Sequence, residues 1–364
     1  MSPLLKEIRH NRMLWLLAFV PVVLATARLR PESHTLLFVL SVLAIVPLAV
    51  LLSLSTESVA ARTGDAVGGL LNATLGNLTE LVIALAALRA GEYTLVKASI
   101  AGAIVTNTLF MLGGSFLLGG LKHHVQEFNH SSAVLQSSLL FLATVALLIP
   151  SATVDPESLA GAAFVQNMSL GLSVLLIIGY ALGLLFTLGT HRDVFGSSDS
   201  GEEHEAALPI ATAVATLAGV TVLIALVSEV FVESVQVAAV SFGMTSAFVG
   251  FIVVALVGAA AEMTAAFSAA RKDRLDLSVG IALGSATQIA LFVAPVLVLL
   301  SYVVGPHPMS LQFWPGSVMM VFIATLTTAL VTRGGRSAWF VGALLLMVYL
   351  VFAMALYLLP PRVL

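Results

Sequence analysis

Gly76-Asn77-Leu78-Thr79-Glu80-Leu81 and Gly258-Ala259-Ala260-Ala261-Glu262-Met263 each set one glutamate inside a long apolar stretch, and the two stretches read as copies of one another. The copying extends outward: Gly102-Ala103-Ile104-Val105-Thr106-Asn107 follows the first segment and Gly284-Ser285-Ala286-Thr287-Gln288-Ile289 the second. The offset is 182 positions for the glutamates and for the leading glycines alike, so the register survives a whole helix-loop-helix unit. A charged side chain at the centre of a membrane span costs about 3 kcal/mol on insertion scales and marks a functional site by default.

Of the 364 residues 59% are hydrophobic and 10% charged, which excludes an ordinary soluble domain and implies an all-α polytopic membrane protein. Cysteine is absent, so the chain has no disulfide and no thiolate for a soft metal, a redox step or covalent catalysis. A net charge of −3 spread among the loops argues against a nucleic-acid surface.

Eleven spans can be drawn, at about 13–29, 35–54, 66–88, 93–118, 132–150, 163–188, 208–228, 244–270, 276–303, 315–332 and 338–359. With the N-terminus in the cytoplasm, 11 of the 16 Lys and Arg fall inside, a positive-inside bias. The organisation expected is an N-terminal segment with the first helix (1–30), a five-helix repeat (31–190), an acidic cytoplasmic linker (191–207) and a second five-helix repeat (208–364). An odd number of spans per repeat makes the second repeat enter from the opposite side, so the two are inverted. Duplicated membrane halves with a site between them are the plan of secondary transporters. The first span also has the basic start, short apolar core and Ala25-Thr26-Ala27 run of a signal peptide, but the many spans behind it favour a retained helix. The lack of a long targeting segment ahead of it suits a prokaryotic plasma membrane.

On a helix, positions 72, 76, 77 and 80 share a face, so Asn72, Gly76, Asn77 and Glu80 make a polar stripe in which glycine admits another backbone. Ser99, Gly102, Thr106 and Asn107 make a second stripe, and Ser285 and Gln288 lie one turn apart after Glu262. Amide and hydroxyl oxygens beside carboxylates suit a hard cation such as Ca²⁺ and suit copper or structural zinc poorly. Such small and polar residues also pack membrane helices together, for about 1 kcal/mol per interaction or less; two carboxyls at one depth exceed what packing alone accounts for. A carboxylate pair held out of water must be neutralised by protons or by a cation, and that competition is antiport in physical terms. Glu57 and Asp65 at the entry to the third span, and Glu229 and Glu233 on the far side, are secondary candidates for drawing cations in, or are exposed loop acids. Asp199, Glu202, Glu203 and Glu205 in the linker, and His123, His124 and His130 after the fourth span, read as solvated loop residues.

At these residues the chain resembles the calcium/proton exchanger (CAX) family of the cation/Ca²⁺ exchanger superfamily. The resemblance lies in Gly68 to Asn77 running into Glu80, in Val96-Lys97-Ala98-Ser99 and Asn107, and again in Phe248-Val249-Gly250, Gly258 to Glu262, Arg271 to Leu277 and Gly284 to Phe292. It implies an eleven-helix antiporter with a peripheral first helix, exporting Ca²⁺ for protons by alternating access, with no cofactor. Glu80 and Glu262 match the family's central carboxylates and would bind the metal. Asn77, Asn107, Ser285 and Gln288 match the polar groups around them, and Gly76 and Gly258 the points where its helices bend. The chain departs from the family pattern at Ala259, Met263 and Ala103, where polar residues are usual. Those losses keep Mn²⁺, Na⁺ and K⁺ open as alternative cargoes.

Two other classes compete. A passive cation channel also needs acidic and amide groups in a pore. An intramembrane enzyme would use the glutamates as acid and base, but the chain has no His in the central spans and no His-Glu-x-x-His motif. The partners implied are the lipid bilayer, a hard cation and protons; nothing in the sequence specifies an oligomeric state.

Overall fold

Runs of about 20 apolar residues satisfy their backbone internally only as helices, and a bilayer enforces that choice. The computed structural model describes residues 3–63, 65–152, 159–191 and 208–359. Within them, ten helices are long and apolar enough to cross a membrane: Arg12–Leu29, His34–Ala60, Val67–Arg89, Tyr93–His123, His130–Ser151, Gly161–Thr190, Ile210–Ser241, Leu275–Ser301, Pro315–Gly334 and Trp339–Leu358. An eleventh crossing is a bent pair, Ser246–Gly258 and Ala260–Arg271, which turns by 59° and stands eighth in chain order. The protein is therefore an integral, all-α, polytopic membrane protein.

Local chemistry starts and stops these helices. Thr245 caps the eighth span by accepting from Phe248 N at 3.1 Å, and Asn129 caps the fifth by accepting from Ser132 N at 3.0 Å. Gly91 turns the chain between the third and fourth spans at φ 78°, a region L side chains avoid. Asp273 adopts a similar φ of 63°, and Gln126 Nε2 holds its carboxylate at 2.8 Å.

The fourth span is the most enclosed, with the second and ninth next; the first, sixth and seventh are mostly open to lipid. The exposed Leu175, Leu182 and Leu185 of the sixth span, and Met347, Leu350 and Met354 of the eleventh, make apolar outer faces suited to acyl chains. A two-stranded antiparallel ribbon, Val125–Glu127 against Arg336–Ala338, ties the loop after the fourth span to the start of the eleventh. It lies on the face where the second span ends and the seventh begins, called the near face below.

The third span is interrupted at the Gly76 bend point that the family resemblance implied: its α-helix stops at Leu75 and restarts at Leu78, so the polar stripe is split between two half-helices. Three details differ from the sequence reading. The seventh span runs for 32 residues, so Glu229 and Glu233 are helical rather than in a loop. At about 1.5 Å per residue such a helix outruns a ~30 Å hydrocarbon core, which lets its last turns carry acids. Glu57 sits in the last turn of the second span, where Ser53 Oγ donates to its carboxylate at 2.9 Å. His123 ends one helix and His130 begins the next, so the histidines are not all in a loop. The linker acids Asp199, Glu202, Glu203 and Glu205 lie outside the described residues.

Candidate cation-binding site

Both glutamates occupy the first turn of a half-helix. Glu80 follows the break before Leu78–Arg89 and Glu262 the break before Ala260–Arg271; each half-helix is 12 residues long, and their starts are 182 apart. The first N–H groups of a helix have no partner within it, and the end carries positive partial charge, so each break gives a carboxylate favourable surroundings deep in the protein. Gly76 N still donates to Asn72 O at 2.8 Å, and Leu81 N to Asn77 O at 3.0 Å, which brackets the first discontinuity. Tyr180 Oη of the sixth span donates to Ala73 O at 2.8 Å, bracing the turn just ahead of that break.

A relay of side-chain hydrogen bonds joins three spans beside the pair. Asn107 Nδ2 donates to Ser285 Oγ at 2.8 Å, Ser285 Oγ donates to Asn77 Oδ1 at 2.7 Å, and Asn77 Nδ2 donates to Gln288 Oε1 at 2.6 Å. The relay spends donors on its own members. Glu80 Oε1, Glu262 Oε2 and Asn107 Oδ1 are shielded from solvent and have no hydrogen-bond partner among the described residues. Buried acceptors in this state call for a proton or a cation. Glu80 packs on Gly258, one helical turn ahead of Glu262, which sets the two side chains in one neighbourhood.

A cavity of about 320 Å³ opens on the near face and ends at this site. Glu262, Ser285, Gln288, Gly76, Asn72 and Gly284 form its floor and sides, with Glu57 and Asp276 toward the mouth; none of the described residues that line it is basic. Such a wall concentrates cations. Glu80 is absent from the lining and packs on Gly258, where an added Cβ would stand 3.0 Å from Glu80 Cγ. From the far face a separate cavity of about 400 Å³ ends on Ala98 and Phe251 and reaches neither glutamate. Gly102 lies against the Phe251 backbone so tightly that any side chain would overlap its carbonyl. Lys97 Nζ donates to Gln312 O at 2.8 Å and Ser310 Oγ at 3.2 Å, fastening the far-face loop.

Of the sequence candidates, Glu80, Glu262, Asn77, Asn107, Ser285, Gln288, Gly76 and Gly258 converge here. Asn72 and Glu57 are on the cavity wall. Ser99 bonds Val96 O of its own helix at 2.8 Å, and Thr106 lies 3.4 Å from Tyr349 Oη, so neither hydroxyl joins the relay. Glu229 pairs with Arg89 at 3.1 Å, and Glu229 and Glu233 line a groove against the first span. Among the described residues no group of three His, Cys, Asp or Glu stands close enough to hold a metal. Gln136 of the fifth span is a wall residue that repeat comparison misses, because its counterpart 182 positions on is Val318.

The fold and the site define a polytopic membrane transport protein with a carboxylate pair of which Glu262 is reached by a cavity from one face. The sequence profile of the sodium/calcium exchanger protein family matches twice, over residues 33–189 and 212–358. The chain is 38% identical over 366 residues to a Ca²⁺/H⁺ antiporter of Synechocystis, covering 96% of this chain and 97% of that one. It is 37% identical over 358 residues to the Ca²⁺/H⁺ antiporter ChaA of Bacillus subtilis, covering 96% and 100%. The solved structure of native YfkE superposes with a TM-score of 0.82 at 34% identity, covering 95% of this chain and all of that one. The chain belongs to the sodium/calcium exchanger protein family. It is a transporter, not an enzyme.

Proposed function

We propose that this chain exchanges Ca²⁺ for protons across a prokaryotic plasma membrane, with Glu80 and Glu262 as the seat that both ions share. The names of its relatives point to Ca²⁺ and H⁺. The observation that carries the reading is the pair of glutamates at matching half-helix starts, each with a buried carboxylate oxygen that has no hydrogen-bond partner among the described residues. Two protons neutralise the pair, or one divalent cation does. A state holding both ions, or neither, leaves uncompensated charge in a medium that penalises it. Exchange follows if only neutralised states can reorient, and the simplest ratio is two or more protons per divalent ion.

Alternating access between inverted repeats supplies the reorientation. Positions that correspond across the repeat differ in environment here: Gly284, Glu262 and Gly76 line the near-face cavity, whereas Gly102 is packed on Phe251 and Glu80 on Gly258. By the distribution of Lys and Arg the near face is cytoplasmic, as is the N-terminus. The state is then inward-open, and a swap of the two environments opens the site outward. A passive channel is disfavoured because the far-face cavity stops at Phe251.

A second reading concerns the cargo. Ala259 and Met263 are apolar, so neither offers a side-chain oxygen beside Glu262. Ca²⁺ usually takes about six to eight oxygens, and the loss of these two side-chain ligands leaves Mn²⁺, Na⁺ and K⁺ as alternative cargoes. Purified protein in liposomes with an imposed pH gradient decides between them. Gradient-dependent ⁴⁵Ca²⁺ uptake that excess Na⁺ or K⁺ does not suppress supports the first reading; proton flux driven by Mn²⁺, Na⁺ or K⁺ and not by Ca²⁺ replaces it with the second.

A further inference from the structure

The fifth span, His130–Ser151, gives nothing to the hydrogen-bond relay, yet Ser132 and Gln136 place it on the cavity wall. Gln136 Nε2 donates to Ser132 Oγ at 3.1 Å, one turn back along the same helix. That bond holds the amide nitrogen on Ser132 and leaves the carbonyl oxygen on the Gly284 side. Gln136 Oε1 is shielded from solvent and has no donor among the described residues. An added Cβ on Gly284 would stand 3.6 Å from it, so the oxygen rests over the residue just before Ser285, where the ninth span has no side chain. Thr287 Oγ1 donates to the Gln136 backbone carbonyl at 3.3 Å and pins the fifth span across the ninth.

A buried amide oxygen without a donor is unfavourable unless something transient satisfies it. Here the oxygen is hard and neutral, Gln136 lines the same cavity as Glu262, and Ala259 and Met263 add no side-chain oxygen. We propose that Gln136 is a cation-contacting residue of this cavity, its Oε1 supplying a neutral oxygen to the ion held by Glu262. This rests on the antiport reading and deepens it. The counterpart of Gln136 is Val318, which is buried and lines a small apolar gap with Ala101 and Ile104. The extra oxygen is therefore available in only one of the two access states. The cation is held more tightly when the site faces the near side than when it faces the far side, which suits capture from a dilute pool.

The test is initial-rate ⁴⁵Ca²⁺ uptake at a fixed pH gradient, with Ca²⁺ presented to the near face, for wild type, Gln136→Leu, Gln136→Glu and, in parallel, Glu262→Gln. Gln136→Leu raises KM for Ca²⁺ by about fivefold or more while kcat stays within about twofold, the signature of weakened binding rather than slowed turnover. If that variant is not monodisperse on size exclusion, Gln136→Glu decides: it keeps the shape, adds charge at the ion and lowers KM by about threefold or more. Unchanged KM in the variants that fold, or a fall in kcat alone, overturns the proposal. Exchange that persists in Glu262→Gln overturns the glutamate reading instead, so the two failures are distinct.

Discussion

Gly102 and Gly284 stand 182 residues apart at the same place in the repeat, yet Gly102 is pressed onto the Phe251 backbone while Gly284 faces the open cavity. A methyl group at 102 has nowhere to go; one at 284 meets only Gln136 Oε1, at ordinary van der Waals distance. Gly102→Ala is therefore expected to destabilise this state by about 1–3 kcal/mol through overpacking. Gly284→Ala is expected to fold normally but to slow exchange at least tenfold, because the proposed swap of environments would bring position 284 onto the counterpart of Phe251, which is Gly69. Because the chain has no cysteine, Ser132→Cys gives a clean reporter. Near-face labelling of that thiol by an impermeant reagent rises when Gly284→Ala is added, and equal labelling in both backgrounds contradicts the swap of environments.

Gly258 gives Glu80 its room. A Cβ there would stand 3.0 Å from Cγ and 3.2 Å from Oε1 of Glu80, so Gly258→Ala displaces the carboxylate without adding polarity. The expected outcome is a folded, monodisperse protein with Ca²⁺ exchange reduced by at least tenfold. Wild-type rates would mean that the position of Glu80 does not matter.

Asn77 is the middle of the relay, accepting from Ser285 and donating to Gln288. Asn77→Ala removes the hydrogen bond that each partner makes to it, and each such bond between membrane helices is worth about 1 kcal/mol. A modest fall in melting temperature is expected, together with a rise in KM for Ca²⁺ that exceeds any fall in kcat. Equal effects on both would place Asn77 in reorientation rather than binding.

The far-face acids should be dispensable. The side chains of Arg89 and Glu229 are 65% and 49% exposed, and such pairs contribute about 0–1 kcal/mol. Glu229→Gln and Glu233→Gln are expected to leave exchange rates and thermal stability within about twofold and a few degrees of wild type. A large drop in either would return these residues to the ion pathway.

Much of the fold was legible because hydropathy and the 182-residue offset each carry a strong physical cause: the bilayer sets span length, and duplication keeps register. The same offset singled out Glu80, Glu262 and their glycines. It failed where the arrangement around the glutamates departs from symmetry. Gln136 faces Val318 across the repeat, and Asn107 faces Ile289, so pairing copies could not rank either residue; Asn107 came from its helical stripe and the family resemblance. The break between Leu75 and Leu78 leaves little trace in composition, since Gly76 and Asn77 also fit an unbroken polar stripe. The length of the seventh span was hidden by Glu229 and Glu233, whose charge ends an apolar window although the helix continues beyond the hydrocarbon.

The central claim is that one carboxylate pair serves both ions. It is tested most directly by ⁴⁵Ca²⁺ uptake into everted vesicles under an imposed pH gradient, comparing wild type with Glu80→Gln and Glu262→Gln at matched expression. Gradient-dependent uptake in wild type and none in either variant is the predicted result. Uptake that survives the removal of either carboxylate would contradict the account.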